Sequence, residues 1–211
     1  MKMDKKIIVE TSAHHIHVTQ ETLEALCGEG AKLECLKELS QPGQFASQVR
    51  LDVIYHAEIK DRKTGAITKK DFELKGLRIL GPCRKANQVE ISMTEARALK
   101  ANVPVRESGD IAGTPGCTLR NPENGNTVDI PEGLIIAKRH IHMTPEDAAE
   151  FGCTNGQIVS VKISEGVGRD AILGDVVVRV SPNYALAMHI DTDECNALGG
   201  ESSNVFGTIV A

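Results

Sequence analysis

Two short runs carry side chains able to hold a metal ion, His15-Ile16-His17 and His140-Ile141-His142. In an extended strand residues i and i+2 point to one face, so each run sets two imidazoles side by side within reach of one cation. The likeness extends past the histidines. His15-Ile-His-Val-Thr19-Gln-Glu21 parallels His140-Ile-His-Met-Thr144-Pro-Glu146; each run follows an apolar stretch, Ile7-Ile8-Val9 or Leu134-Ile135-Ile136, and each leads into a helix-like segment. Thr19 and Thr144 suit the N-cap, and Pro145 suits the first helical position. Four of the seven histidines fall in these two runs and His14 adjoins the first, which reads as an internal duplication whose copies meet at one site. A lone His-x-His is weak evidence for a metal; two in matching contexts are much stronger.

Three more residues are candidates. His189 follows an apolar strand and precedes the acidic run Asp191-Thr-Asp-Glu194. It is either a further ligand or a core histidine bonded to backbone, and the nearby carboxylates could orient imidazoles or simply be solvated. Glu90 sits between Val89 and Ile91 on the opposite face from both, which is either solvent or the metal pocket. Arg84, in Gly81-Pro-Cys-Arg-Lys85, offers a planar fork to phosphate or carboxylate, although arginine is most often a surface residue. Five histidines and Glu90 suffice for two zinc ions with positions left open, the arrangement of a catalytic site. His56, in a plain hairpin strand, and His14, pointing away from its neighbours, stand outside this set. There is no G-x-S-x-G elbow, Walker A or G-x-G-x-x-G fingerprint, so covalent catalysis by serine has no support.

The elements that must position these residues are short. A helix is expected from Thr19 to Cys27, stopped by Gly28. Strands are expected over Val49 to Lys60 and Ile67 to Leu74, joined at the hairpin tip Asp61-Arg-Lys-Thr-Gly65, with Leu77 to Leu80 as a separate strand. Gln88 to Ile91 is a strand, and Ser92-Met-Thr-Glu95 has capping-box spacing before a helix. Ser108 to Gly116 is a glycine-rich loop whose backbone N–H groups could approach a phosphate. Beyond the second dyad come a helix over Pro145 to Phe151 and strands over Ile158 to Ile163, Asp175 to Val180 and Ala185 to Ile190. Short strands with only brief helices point to barrels or sandwiches, with the first strand pairing in the C-terminal half. Without Trp, and with two Tyr and four Phe, the core must be aliphatic.

At 211 residues the chain can bury a sizeable core, and the duplication favours two domains. A net charge of -5 argues against a general binder of nucleic acid or anionic membranes. The basic lead Met1–Lys6 is not a signal peptide and no apolar run spans a bilayer, so the expected location is cytoplasmic. Six scattered cysteines without a C-x-x-C pair argue against a disulfide framework.

At these residues the chain resembles the PduL-type phosphate acyltransferases, the phosphate propanoyltransferase family. The family run Ser-Asn-Arg-His-Val-His is matched by Ser12-Ala13-His14-His15-Ile16-His17, and Gln-Arg-His-Ile-His-Met by Lys138-Arg139-His140-Ile141-His142-Met143. Further matches are Gln41-Pro-Gly-Gln44, Gly81-Pro-Cys-Arg84 with Gln88-Val-Glu-Ile-Ser92, Ser108 to Gly116, and Met188-His-Ile-Asp-Thr-Asp-Glu-Cys-Asn-Ala197. The resemblance implies a mainly β fold of two small β-barrel domains capped by short α-helices, 1–13 plus 138–211 and 14–137, with the N-terminal strand joining the C-terminal barrel. It implies a two-zinc site of His15, His17, Glu90, His140, His142 and His189, with Arg84 contacting phosphate. The implied reaction is acyl-CoA plus phosphate to acyl phosphate plus CoA, on propanoyl-CoA or acetyl-CoA, in a homodimer; the chemistry of zinc and Arg84 suits direct attack by phosphate without an acyl-enzyme. Ala13 and His14 depart from the family's Asn-Arg, and Asp110 stands where Asn is common. The N-terminal extension that directs some relatives into microcompartments is not seen. Two rival readings stay open: a metal-dependent hydrolase of thioesters or phosphoesters, and a zinc-stabilised binding module without turnover.

Overall fold

The computed structural model describes residues 5–200 and 204–210, so the first four positions of the lead Met1–Lys6 lie outside it. In chain order the elements are β1 (Ile7–Thr11), β2 (His15–His17), α1 (Gln20–Cys27), β3 (Cys35–Glu38), β4 (Phe45–Lys60), β5 (Ile67–Gly81), β6 (Gln88–Glu90) and α2 (Met93–Ala98). They continue as β7 (Val105–Arg106), β8 (Cys117–Arg120), β9 (Thr127–Ile130), β10 (Leu134–Ala137), β11 (His140–Met143), α3 (Pro145–Phe151) and β12 (Ile158–Glu165). The last are β13 (Ala171–Val180), β14 (Ala187–Ile190), α4 (Thr192–Ala197) and β15 (Phe206–Val210).

The chain divides into two units, Met1–Ala13 with Ser40–Pro42 and Lys138–Ala211, and His14–Leu39 with Gly43–Ala137. The first is a closed barrel in the order β1-β14-β11-β13-β12-β15. β1 closes it by pairing parallel to β14 and antiparallel to β15, so the N-terminal strand does join the C-terminal barrel. Ser40–Pro42 groups with this unit through Gln41, whose side-chain amide donates to Ala185 O at 2.9 Å and accepts from Ala185 N at 3.2 Å. The second unit is a nine-stranded sheet, β7-β10-β6-β2-β5-β4-β8-β9 with β3 on β4. A mainly β fold with short helices is therefore what the sequence forms, as one closed barrel and one large sheet.

The duplication is visible in strand sense. The path β10-β6-β2-β5-β4 runs parallel, antiparallel, parallel, antiparallel, and β1-β14-β11-β13-β12 runs the same way. Each unit has its own aliphatic core. Ile16, the middle of the first dyad, is fully buried with Leu51, Leu77, Ile79 and Leu134, and Ile141 is fully buried with Ile7, Val161, Ile163 and Met188. Each such side chain contributes about 1.5–3 kcal/mol and fixes its strand so that the flanking imidazoles face the other way.

The caps follow the sequence signals. Thr19 accepts the Thr22 amide at 3.1 Å, Gly28 ends α1 at φ 104°, and Thr144 with Asp147 forms a capping box before Pro145. The expected break between Leu74 and Leu77 is not a break but a bulge within β5. Leu51 pairs with Leu77 and Val53 with Leu74, so one residue of β4 faces two of β5, and Gly76 takes φ 70° while its amide donates to the buried Asp52 carboxylate at 3.0 Å. Several elements went unread in the sequence: β3, β7, β8, α4 and β15. The acidic run before α4 is largely its cap: Asp191 accepts the Glu194 amide at 2.7 Å and Glu194 accepts the Asp191 amide at 2.9 Å.

Ile7 fills the barrel interior and Ile8, on the outer face, is 38% exposed. Ile7→Ala is expected to lower stability by about 2–5 kcal/mol and Ile8→Ala by less than about 1 kcal/mol, a difference that urea unfolding of both variants measures.

Candidate functional site

The first dyad occupies β2, a three-residue strand flanked by β5 and β6. Its register with β6 is antiparallel, with His15 opposite Glu90 and His17 opposite Gln88. Directly opposed residues share a face, so Glu90 joins the two imidazoles as a third donor. His15 Nε2 stands 3.5 Å from Glu90 Oε2 and His17 Nε2 3.9 Å from Oε1, and the ring centroids of the histidines are 4.9 Å apart. Two ligands about a tetrahedral ion with bonds of about 2.1 Å stand roughly 3.4 Å apart, close to the first of these separations. All three side chains are buried.

The second dyad repeats the construction. In β11 and β14 His140 stands opposite His189, again antiparallel, and the centroids of His140, His142 and His189 lie 4.6 to 5.2 Å apart. In each set the donor atoms lie within 4.8 Å of one another, close enough for a single ion to draw on all three. The structure thus brings His15, His17 and Glu90 together in one unit, and His140, His142 and His189 in the other.

Electrostatics prepares both sets for a cation. Burial pushes the His17 imidazole well below its ordinary value, and the charges of His15 and Arg84 act the same way. Burial sets His142 at about 2, with His140, His189 and Arg179 adding to the shift. Both rings are therefore neutral, the form that ligates. Glu90 is opposed by burial, yet its interactions with His15, His17 and the Ser108 hydroxyl outweigh that and hold it well below the usual carboxylate range. His17 Nδ1 donates to Leu80 O at 3.3 Å and His140 Nδ1 to Lys138 O at 2.9 Å, which fixes each tautomer with Nε2 as the donor to an ion. The buried Nδ1 of His142 has no hydrogen-bond partner among the described residues. Such an orphan costs about 1–3 kcal/mol unless something coordinates it, so the set fits a cation.

Arg84 follows β5, with its backbone amide on Val18 O at 2.8 Å. Its Nη1 donates to Ser108 Oγ at 3.2 Å, and Ser108 donates to Glu90 Oε1 at 2.9 Å, so the guanidinium reaches the first set through one hydroxyl. Gln88 Nε2 also donates to Glu90 Oε1 at 2.6 Å, while its Oε1 accepts the Gly109 amide at 2.8 Å. Sequence reasoning singled out the Ser108 to Gly116 loop for its amides and missed these two side chains. The Gly109 and Gly113 amides are instead taken by Gln88 and by Glu132, the latter at 3.0 Å. In the second unit the ring of Tyr184, also missed, lies on His142 with centroids 4.1 Å apart. It stands four residues past the end of β13, much as Arg84 stands three past β5. His14 bonds Glu95, and His56 bonds Asp71 at 2.7 Å and Thr118 at 2.9 Å.

Residues 8–201 match the family model described as phosphate propanoyltransferase. A protein of Enterococcus faecalis named phosphate propanoyltransferase is 49% identical over 191 residues, covering 90% of this chain and 82% of its own length. Proteins of the same name from Listeria monocytogenes and Thermotoga maritima are 45% and 44% identical over 197 residues, covering 93% of this chain and 84% and 86% of theirs.

The lowered His142 value makes acid a test of the metal-free chain. An unfolded histidine takes its proton near 6.5, the folded one near 2, so the unfolded state gains the proton between them and stability falls as pH drops through that window. From pH 7 to pH 5 this imidazole is expected to remove about 2 kcal/mol. Urea unfolding across that range should show a shallower slope for His142→Gln.

Proposed function

The chain belongs to the phosphate propanoyltransferase family, a family of acyltransferases, and from that premise we propose that it moves a propanoyl or acetyl group between CoA and inorganic phosphate with two zinc ions. His15, His17 and Glu90 would hold one ion, and His140, His142 and His189 the other. The observation that carries this reading is that each unit gathers three buried or half-buried donors, where a closed structural site has four. When bound, zinc supplies a Lewis acid with a strong affinity for thiolate, which suits a CoA leaving group.

The chain's own residues do the rest. Arg84 offers the fork that holds phosphate, kept in place by Ser108. A phosphate oxygen bonds to the acyl carbon as the carbon–sulfur bond breaks, and CoA leaves as the thiolate. No acyl-enzyme is needed: burial pushes the Cys117 thiol up to about 12 and raises that of Cys83, the cysteine next to Arg84, so neither is poised as a nucleophile. Among the described residues no helix is long and apolar enough to cross a membrane. The proposal includes a homodimer in the cytoplasm.

On zinc-replete protein, CoA release from propanoyl-CoA is expected to require phosphate; release at the same rate without phosphate would mark a hydrolase. An acylated side chain trapped by rapid quench would overturn direct attack. His140→Ala is expected to abolish turnover and lower bound zinc, and full retention of both would remove it from the ligand set. Arg84→Ala is expected to lower kcat/KM for phosphate by about 10²–10³-fold, the usual effect of losing one donor to developing charge.

A further inference from the structure

The carboxylate that closes the capping box of α2 has a second partner. Glu95 accepts the Ser92 amide through Oε2 at 2.8 Å, and its Oε1 is bonded to Nδ1 of His14. In the other unit Glu194 accepts the Asp191 amide through Oε2 at 2.9 Å, and its Oε1 takes Nε of Arg139 at 2.7 Å. The two arrangements correspond atom for atom at the carboxylate. They also correspond in sequence: Ser92 lies two residues past Glu90 and Asp191 two past His189, while His14 and Arg139 each immediately precede a dyad.

Strand geometry gives the contact its meaning. Because His15 faces Glu90 and His140 faces His189 in antiparallel register, the residue before the dyad and the cap beyond the third donor lie at the same end of each strand pair. Each such ladder is only three residues long, His15↔Glu90 to His17↔Gln88 and His140↔His189 to His142↔Ala187. Three backbone pairs leave the register to side chains: Ile16 or Ile141 sets it from the core face, and a side chain tying the two strands together at one end adds to that.

We propose that His14–Glu95 and Arg139–Glu194 are register clamps, positioning contacts that lock each dyad strand against the strand carrying the third donor. His14 does for Glu90 what Arg139 does for His189. Neither residue is a ligand; each acts through the register. The consequence for metal affinity rests on the function proposed above, whereas the locking of the strands does not.

Hydrogen exchange on the metal-free full chain therefore reads the clamp directly, and zinc competition with a chelator reads its consequence. His14→Ala, which leaves the Ser92–Glu95 cap intact, is expected to speed exchange in 15–17 and 88–91 by about tenfold or more and to weaken one of two zinc equivalents by about 10–100-fold. His14→Arg, which places in the first unit the residue used by the second, should restore both. Unchanged exchange in His14→Ala, or faster exchange that Arg does not restore, overturns the clamp. Arg139→Ala and Arg139→Lys repeat the comparison in the other unit, so a variant that fails to fold in one leaves the other to decide. A parent protein that takes up no zinc would overturn the metal reading, while the exchange comparison would still decide the clamp.

Discussion

The antiparallel registers of β2 with β6 and of β11 with β14 set a third donor directly across from the first histidine of each dyad. A slip of one residue would turn every side chain of the short strand to the other face. A slip of β6 would carry Glu90 into the aliphatic core where Val89 packs beside Leu134, and a slip of β2 would put Ile16 in the place of an imidazole. An ionised carboxylate in such surroundings costs several kcal/mol or must take up a proton. Packing of Ile16 and Ile141 and solvation of the donors thus favour the same register, so the core and the site are one constraint seen from two faces of a strand.

Burying six donors has a cost that the surroundings meet unevenly. Glu90 is the better provided, with Gln88 and Ser108 on Oε1 and two imidazoles nearby. The His142 ring lies against Tyr184, and its Nδ1 has no hydrogen bond among the described residues. The two halves of the duplication have therefore diverged in what surrounds the donors: a hydroxyl and a guanidinium in one, an aromatic ring in the other. That difference fits a division of labour in which the Arg84 side receives an oxyanion.

Much of this was legible in the sequence because it is local. His-x-His at strand period, Thr19 and Thr144 at N-caps and Pro145 after the second are signals within a few residues, and the strand sense around both dyads repeats as the duplication implied. What was not legible depends on pairing across long separations. Ser108 reaches Glu90 over 18 residues, and Gly76 reads as a strand breaker until Asp52 is seen to hold its amide. Asp191 and Glu194 look like an acidic cluster because a capping box and a metal's outer carboxylates use the same residue types. His14 reads as a lost cation beside the dyad, and only the fold shows it turned toward Glu95.

The central claim is that each set of three donors binds zinc and keeps a position open. X-ray absorption at the zinc edge, on the full chain with and without CoA, tests it most directly. Nitrogen and oxygen scatterers alone at about 2.0–2.2 Å in the free protein, joined by a sulfur scatterer at about 2.3 Å when CoA is added, is the expected result. Sulfur already bound in the free protein, or a spectrum that CoA leaves unchanged, would contradict it.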